Sequence, residues 1–282
     1  MYSDGKVISD FSIVLVFCLF FCRRLLFFGD KIGYRKEVCH FYSRLCEFGR
    51  RLEGGSGGIG NTLYLLRVDY GWFCVPPEKN PSFEGWKNEI ATFIKEERID
   101  SPILVGHSMG GGLALAVAAD FPTLVGKIVI VDALLCLMAL THPDFNVADK
   151  DCSDMITRIT AMNHEQFVRM QRMSVASLTT DSLKFDEIVE WGAASDRKTY
   201  AAMYCDFANT DLRERIRSIA VPVLVLLGPH FKNIASIVNE QYRNLHGVRL
   251  RYAEQGLHFM MFDDKEWFMN ELTGYKRVTS GV

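Results

Sequence analysis

From residue 76 onward the chain alternates between two hydrophobic patterns. Short unbroken apolar runs, PILVG at residues 102–106, KIVIV at 127–131 and PVLVLL at 222–227, have the length and composition of buried strands. Between them the apolar positions recur with helical spacing. Over residues 83–99, Trp86, Ile90, Phe93 and Ile94 fall on one stripe, and residues 109–121 form an Ala/Leu-rich helix. A helix over 234–245, a strand at 249–252 and a last helix from Asp264 to about Leu272 complete the series. Strands apolar on both faces, separated by helices, predict an α/β fold with a mostly parallel sheet flanked by helices.

Between residues 134 and 209 the strand pattern disappears, and helical periods cover 151–162, 164–173, 183–191 and 196–207. Because strand alternation resumes afterwards, residues 134–210 are predicted to be an inserted helical lid. The core is then divided into 76–133 and 211–282. The plainer alternative is that these are further helices of the main domain.

Residues 1–75 fit neither pattern and are predicted to leave the first strands of the sheet missing or disrupted. Residues 42–51 carry Arg44, Glu47, Arg50 and Arg51, and burying unpaired charges in a central strand costs several kcal/mol each. The glycine run at 54–58 reads as a flexible linker, because no Gly-Lys-Ser/Thr follows to make a phosphate loop. Residues 11–22 are nearly all apolar, but a membrane span needs roughly 20. A signal or anchor core has this length, though only Lys6 precedes it and no small-residue cleavage site follows. The chain is therefore read as cytoplasmic or exported, and a membrane association is not expected.

Composition changes this picture little. A length of 282 residues, 49% of them hydrophobic, is enough for one large domain with a sizeable core. The formal net charge of −2 provides no basic footprint, so a nucleic-acid partner is not expected. Five of the eight cysteines fall in the first 74 residues, leaving Cys136, Cys152 and Cys205. Their spacing suggests neither a metal site nor a disulfide framework, and no cofactor motif is present.

The strongest chemical signal is Gly106-His107-Ser108-Met109-Gly110-Gly111, placed between a predicted strand and a predicted helix. A strand that turns this sharply into a helix strains the central serine, and flanking glycines leave the room it needs. Ser108 Oγ is then lifted above the sheet edge. The Met109 N–H and the positive end of the helix face the place where an oxyanion would form.

With this segment the chain resembles the α/β-hydrolase family, in its serine esterase-like branch, over residues 76–282. The resemblance implies the chain order nucleophile, acid, histidine. Gly256-Leu257-His258-Phe259, after the strand VRLRY, makes His258 the implied base within hydrogen-bond reach of Ser108. His107 is a packing residue of the turn by the same comparison, while His230 and His246 read as loop or surface positions. The acid is the point of departure. The family commonly places an Asp after the strand matching PVLVLLG, where this chain has Pro229-His230-Phe231-Lys232-Asn233. Some members draw the acid from the end of the strand after the nucleophile helix, where Asp132 stands. Asp132 thus reads either as the acid or as a structural residue binding loop amides. Asn233 is the second choice for orienting the imidazole.

The implied activity is hydrolysis of carboxylic esters or related acyl compounds on a small, apolar acyl substrate. Met155, Met162, Met170, Met173, Phe167 and Trp191 read either as the lining of an apolar acyl or aromatic pocket or as packing between the helical segment and the core. The alternative is an impaired hydrolase or a non-catalytic scaffold. That alternative rests on the front of the chain, since the family takes a second oxyanion donor from a loop after an early strand. Residues 1–75 as written hold no such Pro-Gly or His-Gly segment, and loss of one donor typically lowers kcat about 10²–10³-fold. Codons for residues 38–53, read one nucleotide later, admit S-V-I-F-I-P-G-F-A-S-S-G-D-V-W-K. Those for 63–74 admit Y-T-C-Y-E-L-T-M-A-G-F-A, so a frame shift in this segment is one expectation.

Overall fold

The computed structural model describes residues 82–142, 145, 147 and 151–277, with the backbone of two further strands, β1 (Ile13–Phe17) and β2 (Leu63–Arg67). These two join β3 (Ile103–His107), β4 (Lys127–Val131), β5 (Val223–Leu227) and β6 (Arg249–Tyr252) in one sheet of order β2-β1-β3-β4-β5-β6. Every neighbouring pair is parallel. The order reverses direction between β1 and β3, and in such sheets a crevice opens at the carboxyl ends of the strands at that point.

Here the structure departs from the expectation of missing or disrupted front strands. Residues 13–17, IVLVF, are an uninterrupted apolar run, which is what a strand between two parallel neighbours requires. The same five residues lie inside the segment read as a signal or anchor core. The charged stretch at 42–51 and the glycine run lie outside the described residues. Among the described residues, no helix is long and apolar enough to cross a membrane.

The core elements follow the sequence pattern closely. Helix α1 (Phe83–Glu96) starts at Ser82, whose side chain accepts a hydrogen bond from the Gly85 N–H. Helix α2 (Met109–Asp120) is buried from Met109 to Ala119, because it lies between the sheet and α1. The strand pleat sends alternate side chains to two cores. Leu104, Ile128, Ile130 and Val225 pack with α1, α2 and α7 (Ala235–Tyr242), whereas Ile103, Val105, Val129 and Leu226 pack on the opposite face. That second face is covered by α5 (Ser182–Ala193), α8 (Met260–Asp263) and α9 (Lys265–Arg277).

Helices α3 (Ser153–Ala161), α4 (His164–Val175), α5 and α6 (Arg197–Ala208) occupy the interval between β4 and β5, where helices alone were predicted. A small separate core of Ile159, Phe167, Tyr200 and Ala201 joins α3, α4 and α6. One feature of this segment was not expected: Cys152 and Cys205, 53 positions apart, form a disulfide across the α3 and α6 ends. The sequence shows no such pairing because neither cysteine has a local partner, and only the fold brings their Cα atoms to 5.8 Å.

Candidate active site

Strand β3 ends at His107 and α2 begins at Met109, so a single residue, Ser108, makes the turn. Its backbone is held at φ 54°, ψ −126°, a region an L-residue enters only under constraint. The constraint is visible in its bonds. The Ser108 N–H donates to the Val131 carbonyl on β4 at 2.9 Å, and its own carbonyl accepts from Gly111 N–H at 2.9 Å. Gly106 is required by the close approach of α2, because a Cβ there would sit 2.6 Å from the Gly111 nitrogen.

Asp132 directly follows β4 and is also at positive φ, 51°. Its carboxylate is buried and divides its two oxygens. Oδ1 accepts the Gly228 N–H at 2.7 Å, just beyond β5, while Oδ2 lies 2.7 Å from His258 Nδ1. Both sequence readings of Asp132 thus describe contacts that are present, one per oxygen. The Nδ1 hydrogen is committed to the carboxylate, which leaves Nε2 as the ring's free acceptor. Among the described residues no hydrogen bond joins Ser108 Oγ to His258, although both side chains line the same cavity.

His107 does more than pack. Its Nε2–H donates to the His258 carbonyl at 2.9 Å, and the two rings lie 4.4 Å apart. Complete burial, with a smaller contribution from the neighbouring His258 ring, holds the His107 pKa well below its ordinary 6.5. No local signal in the sequence reveals this link, which spans 151 positions. Nor does it reveal that α7 secures the turn after Asp132. Gln241 Oε1 accepts from the Leu135 and Cys136 amides, and the Tyr242 hydroxyl donates to the Ala133 carbonyl at 2.8 Å. Of the remaining candidates, His230 lines the cavity from its rim, while His246 is on the surface. Asn233 is exposed and does not line the cavity.

Ser108, Met109, Asp132 and His258 contribute to one cavity of about 820 Å³. Its other wall comes from α3, α4 and α6, through Met155, Ile159, Met162, Met170, Tyr200 and Phe207. Trp191 and Phe167 pack in cores, the second of the two roles read for them, and Met173 is exposed, so none of these three lines the cavity. Met109 opens α2, where its amide belongs to the positive end of the helix. The loop after β1, from which a second oxyanion donor was sought, lies outside the described residues.

The chain is similar to proteins with hydrolase names. A Serratia proteamaculans protein provisionally named carbamate hydrolase RutD is 26% identical over 244 residues, covering 79% of this chain and 89% of that protein. A Mycoplasma genitalium protein provisionally named esterase/lipase 2 is 26% identical over 148 residues, so the chain matches only about half, 49%, of that relative's length. Among solved structures, an esterase from Exiguobacterium antarcticum superposes with a TM-score of 0.62 at 18% identity, over 77% of this chain and 81% of the esterase. A family model described as the alpha/beta hydrolase fold matches residues 77–265, well over half of the chain. With its parallel sheet and helical layers, this chain belongs to the alpha/beta hydrolase fold family.

Proposed function

We propose that the chain is a serine hydrolase acting on carboxylic esters or related acyl compounds. The observation that carries this reading is the 2.7 Å link between His258 Nδ1 and Asp132, beside a serine held in a strained strand-to-helix turn. In this reading the Ser108 turn is a nucleophile elbow. His258 Nε2 removes the Ser108 proton as Oγ attacks the acyl carbon, then returns it to the departing alkoxide. Asp132 fixes the tautomer and stabilises the imidazolium. The Met109 N–H serves as one oxyanion donor at the head of α2. Water attacks the acyl-enzyme by the same route in reverse, releasing the acid.

The apolar wall of the cavity suits an apolar acyl or aromatic group, and its volume is in the range that holds a small molecule. Residues 134–210 act in this reading as a lid: α3, α4 and α6 close the cavity over the strand ends, while 76–133 and 211–282 form the core.

The test is hydrolysis of a p-nitrophenyl ester series by the full chain and by Ser108→Ala, with mass mapping of a serine-directed phosphonate. We expect ester hydrolysis that Ser108→Ala lowers by about 10⁴-fold or more, with the phosphonate on Ser108. Equal rates in the two proteins, or a label elsewhere, would overturn the reading.

A further inference from the structure

A general base must be held to within about 0.5 Å of its working position, and Asp132 secures only the His258 ring. The backbone that carries the ring runs between β6 and α8 with no helix or strand of its own, so its polar groups need other partners. They have them on three sides. The N–H before His258, that of Leu257, donates to Asp263 Oδ2 at 2.7 Å. The carbonyl of His258 accepts from His107, and the N–H after it, that of Phe259, donates to the Leu178 carbonyl at 3.0 Å.

The partner of Leu257 is itself tied elsewhere. Asp263 Oδ1 accepts three hydrogen bonds from the connection between α4 and α5: the Thr179 hydroxyl at 2.6 Å, the Thr180 N–H at 2.9 Å and the Asp181 N–H at 3.0 Å. Four donors thus converge on one half-buried carboxylate, a set of charge-assisted bonds about twice as strong as neutral ones. Gly256 makes the approach feasible. Its φ of +82° folds the loop back, and a Cβ there would lie 3.1 Å from Asp263 Cβ. On the far side, Asp181 caps α5 by accepting from Leu183 and Lys184, so the connection is continuous with a helix that packs on the sheet.

We infer that Asp263 is a positioning residue that couples the α4–α5 connection to the His258 loop, so that the base reaches its working place only when the helical segment is seated. This rests on the hydrolase reading above. Asp263 touches no reacting atom and is absent from the cavity wall. Its effect is exerted through the Leu257 peptide. The coupling also assigns a role to Thr179, whose buried hydroxyl donates to the same oxygen.

The experiment compares wild type, Ser108→Ala, Asp263→Asn, Thr179→Val and Thr179→Ser on one p-nitrophenyl ester, with kcat and KM measured separately and folding followed by thermal melting. Asp263→Asn keeps the size but turns one acceptor into a donor, and should lower kcat about 10- to 100-fold with KM within a factor of about three. Thr179→Val should lower kcat in the same direction by a smaller factor, and Thr179→Ser, which restores the hydroxyl, should not. A merely structural role would lower the melting temperatures of Asp263→Asn and Thr179→Val and leave kcat of the folded fraction intact. If wild type and Ser108→Ala are equally inactive, the hydrolase reading fails, and the inference with it. If wild type is active and Asp263→Asn keeps its kcat, the inference alone is overturned. Should Asp263→Asn not fold, the threonine pair decides: a kcat loss in the valine variant rescued by serine supports the coupling, and unchanged kcat in both overturns it.

Discussion

Helices α2 and α3 both border the cavity, yet they are held in place by different means. In α2 every residue from Met109 to Ala119 is buried between the sheet and α1. In α3 only Ile159 is buried, and the neighbouring α4 buries Phe167, Gln171 and Val175. The sheet layer that positions Ser108, Asp132 and His258 is thus fixed by packing on both of its faces. The helical segment that forms the other wall is anchored less evenly. Val175 and α5 pack on one sheet face and Met203 and Phe207 in the other core. Helix α3 relies on a small apolar core and one disulfide, and the α4–α5 connection on the hydrogen bonds around Asp263. The contrast suggests a division of labour. Under the proposed function, the reacting groups stand on the layer packed on both faces, and the facing wall of the cavity includes the more exposed helix α3.

The largest effect should come from the rigid side. Asp132→Asn keeps an acceptor for the Gly228 amide but takes the charge from His258. We expect kcat to fall by up to about 10⁴-fold while the melting temperature changes little. A small change in kcat would mean that the packed layer positions His258 without this carboxylate.

Next is a paired test of packing. Leu115 is wholly buried in α2, and Leu115→Ala should cost about 2–5 kcal/mol in denaturant unfolding. Met173, on α4, is 78% exposed, and Met173→Ala should stay within about 0.5 kcal/mol. Comparable losses at the two positions would remove the contrast.

The disulfide is expected to matter by about 2–4 kcal/mol, through the freedom that the Cys152–Cys205 link withholds from the unfolded chain. Cys152→Ser, or reductant added to wild type, should lower the melting temperature. It should also raise KM more than it lowers kcat, since the cavity wall loosens while the strand ends stay. An unchanged melting temperature would show that the small core of α3, α4 and α6 is sufficient.

The smallest effect concerns a charge cluster on the rigid side, where Arg215 and Lys87 both pair with Glu84 and Asp120. The Arg215 guanidinium chiefly holds Asp120 down to about 2, and it also lowers Glu84 from its ordinary 4.5. Both folded-state values lie below their unfolded ones. The stabilisation is therefore complete above the ordinary carboxylate range and fades as pH falls toward 2. Solvent screening limits it to about 1 kcal/mol, so Asp120→Asn should flatten the acid limb of a stability profile by about that amount. An unaltered limb would assign acid unfolding to other groups.

Much of this was legible in residues that are close together in the chain. KIVIV forms a strand with the bounds its apolar run predicts, and RLRY forms one where alternating Arg, Leu, Arg and Tyr were expected to. Ser108 stands at the strand-to-helix turn that Gly-His-Ser-Met-Gly requires. Periodicity and turn sterics act within a few residues, so a short window contains the whole cause. The front of the chain was less legible. IVLVF has no helix or turn signal around it, and its place in the sheet depends on β2 and β3 beside it.

The sequence by itself therefore determined strands β3 to β6 and helices α1 to α7 and α9, though not α8, together with the strained position of Ser108 and two sites, Asp132 and His258, at which partners were expected. Tertiary structure alone decided that these two meet across 126 positions, that His107 donates to the His258 backbone, and that Cys152 pairs with Cys205. It also decided that Asp263 gathers donors from more than 80 positions away. The physical reason is that a buried polar group must find a partner wherever the packed chain places one. Which group arrives is set by the crossing of helices and strands far apart in sequence, and no local pattern records it.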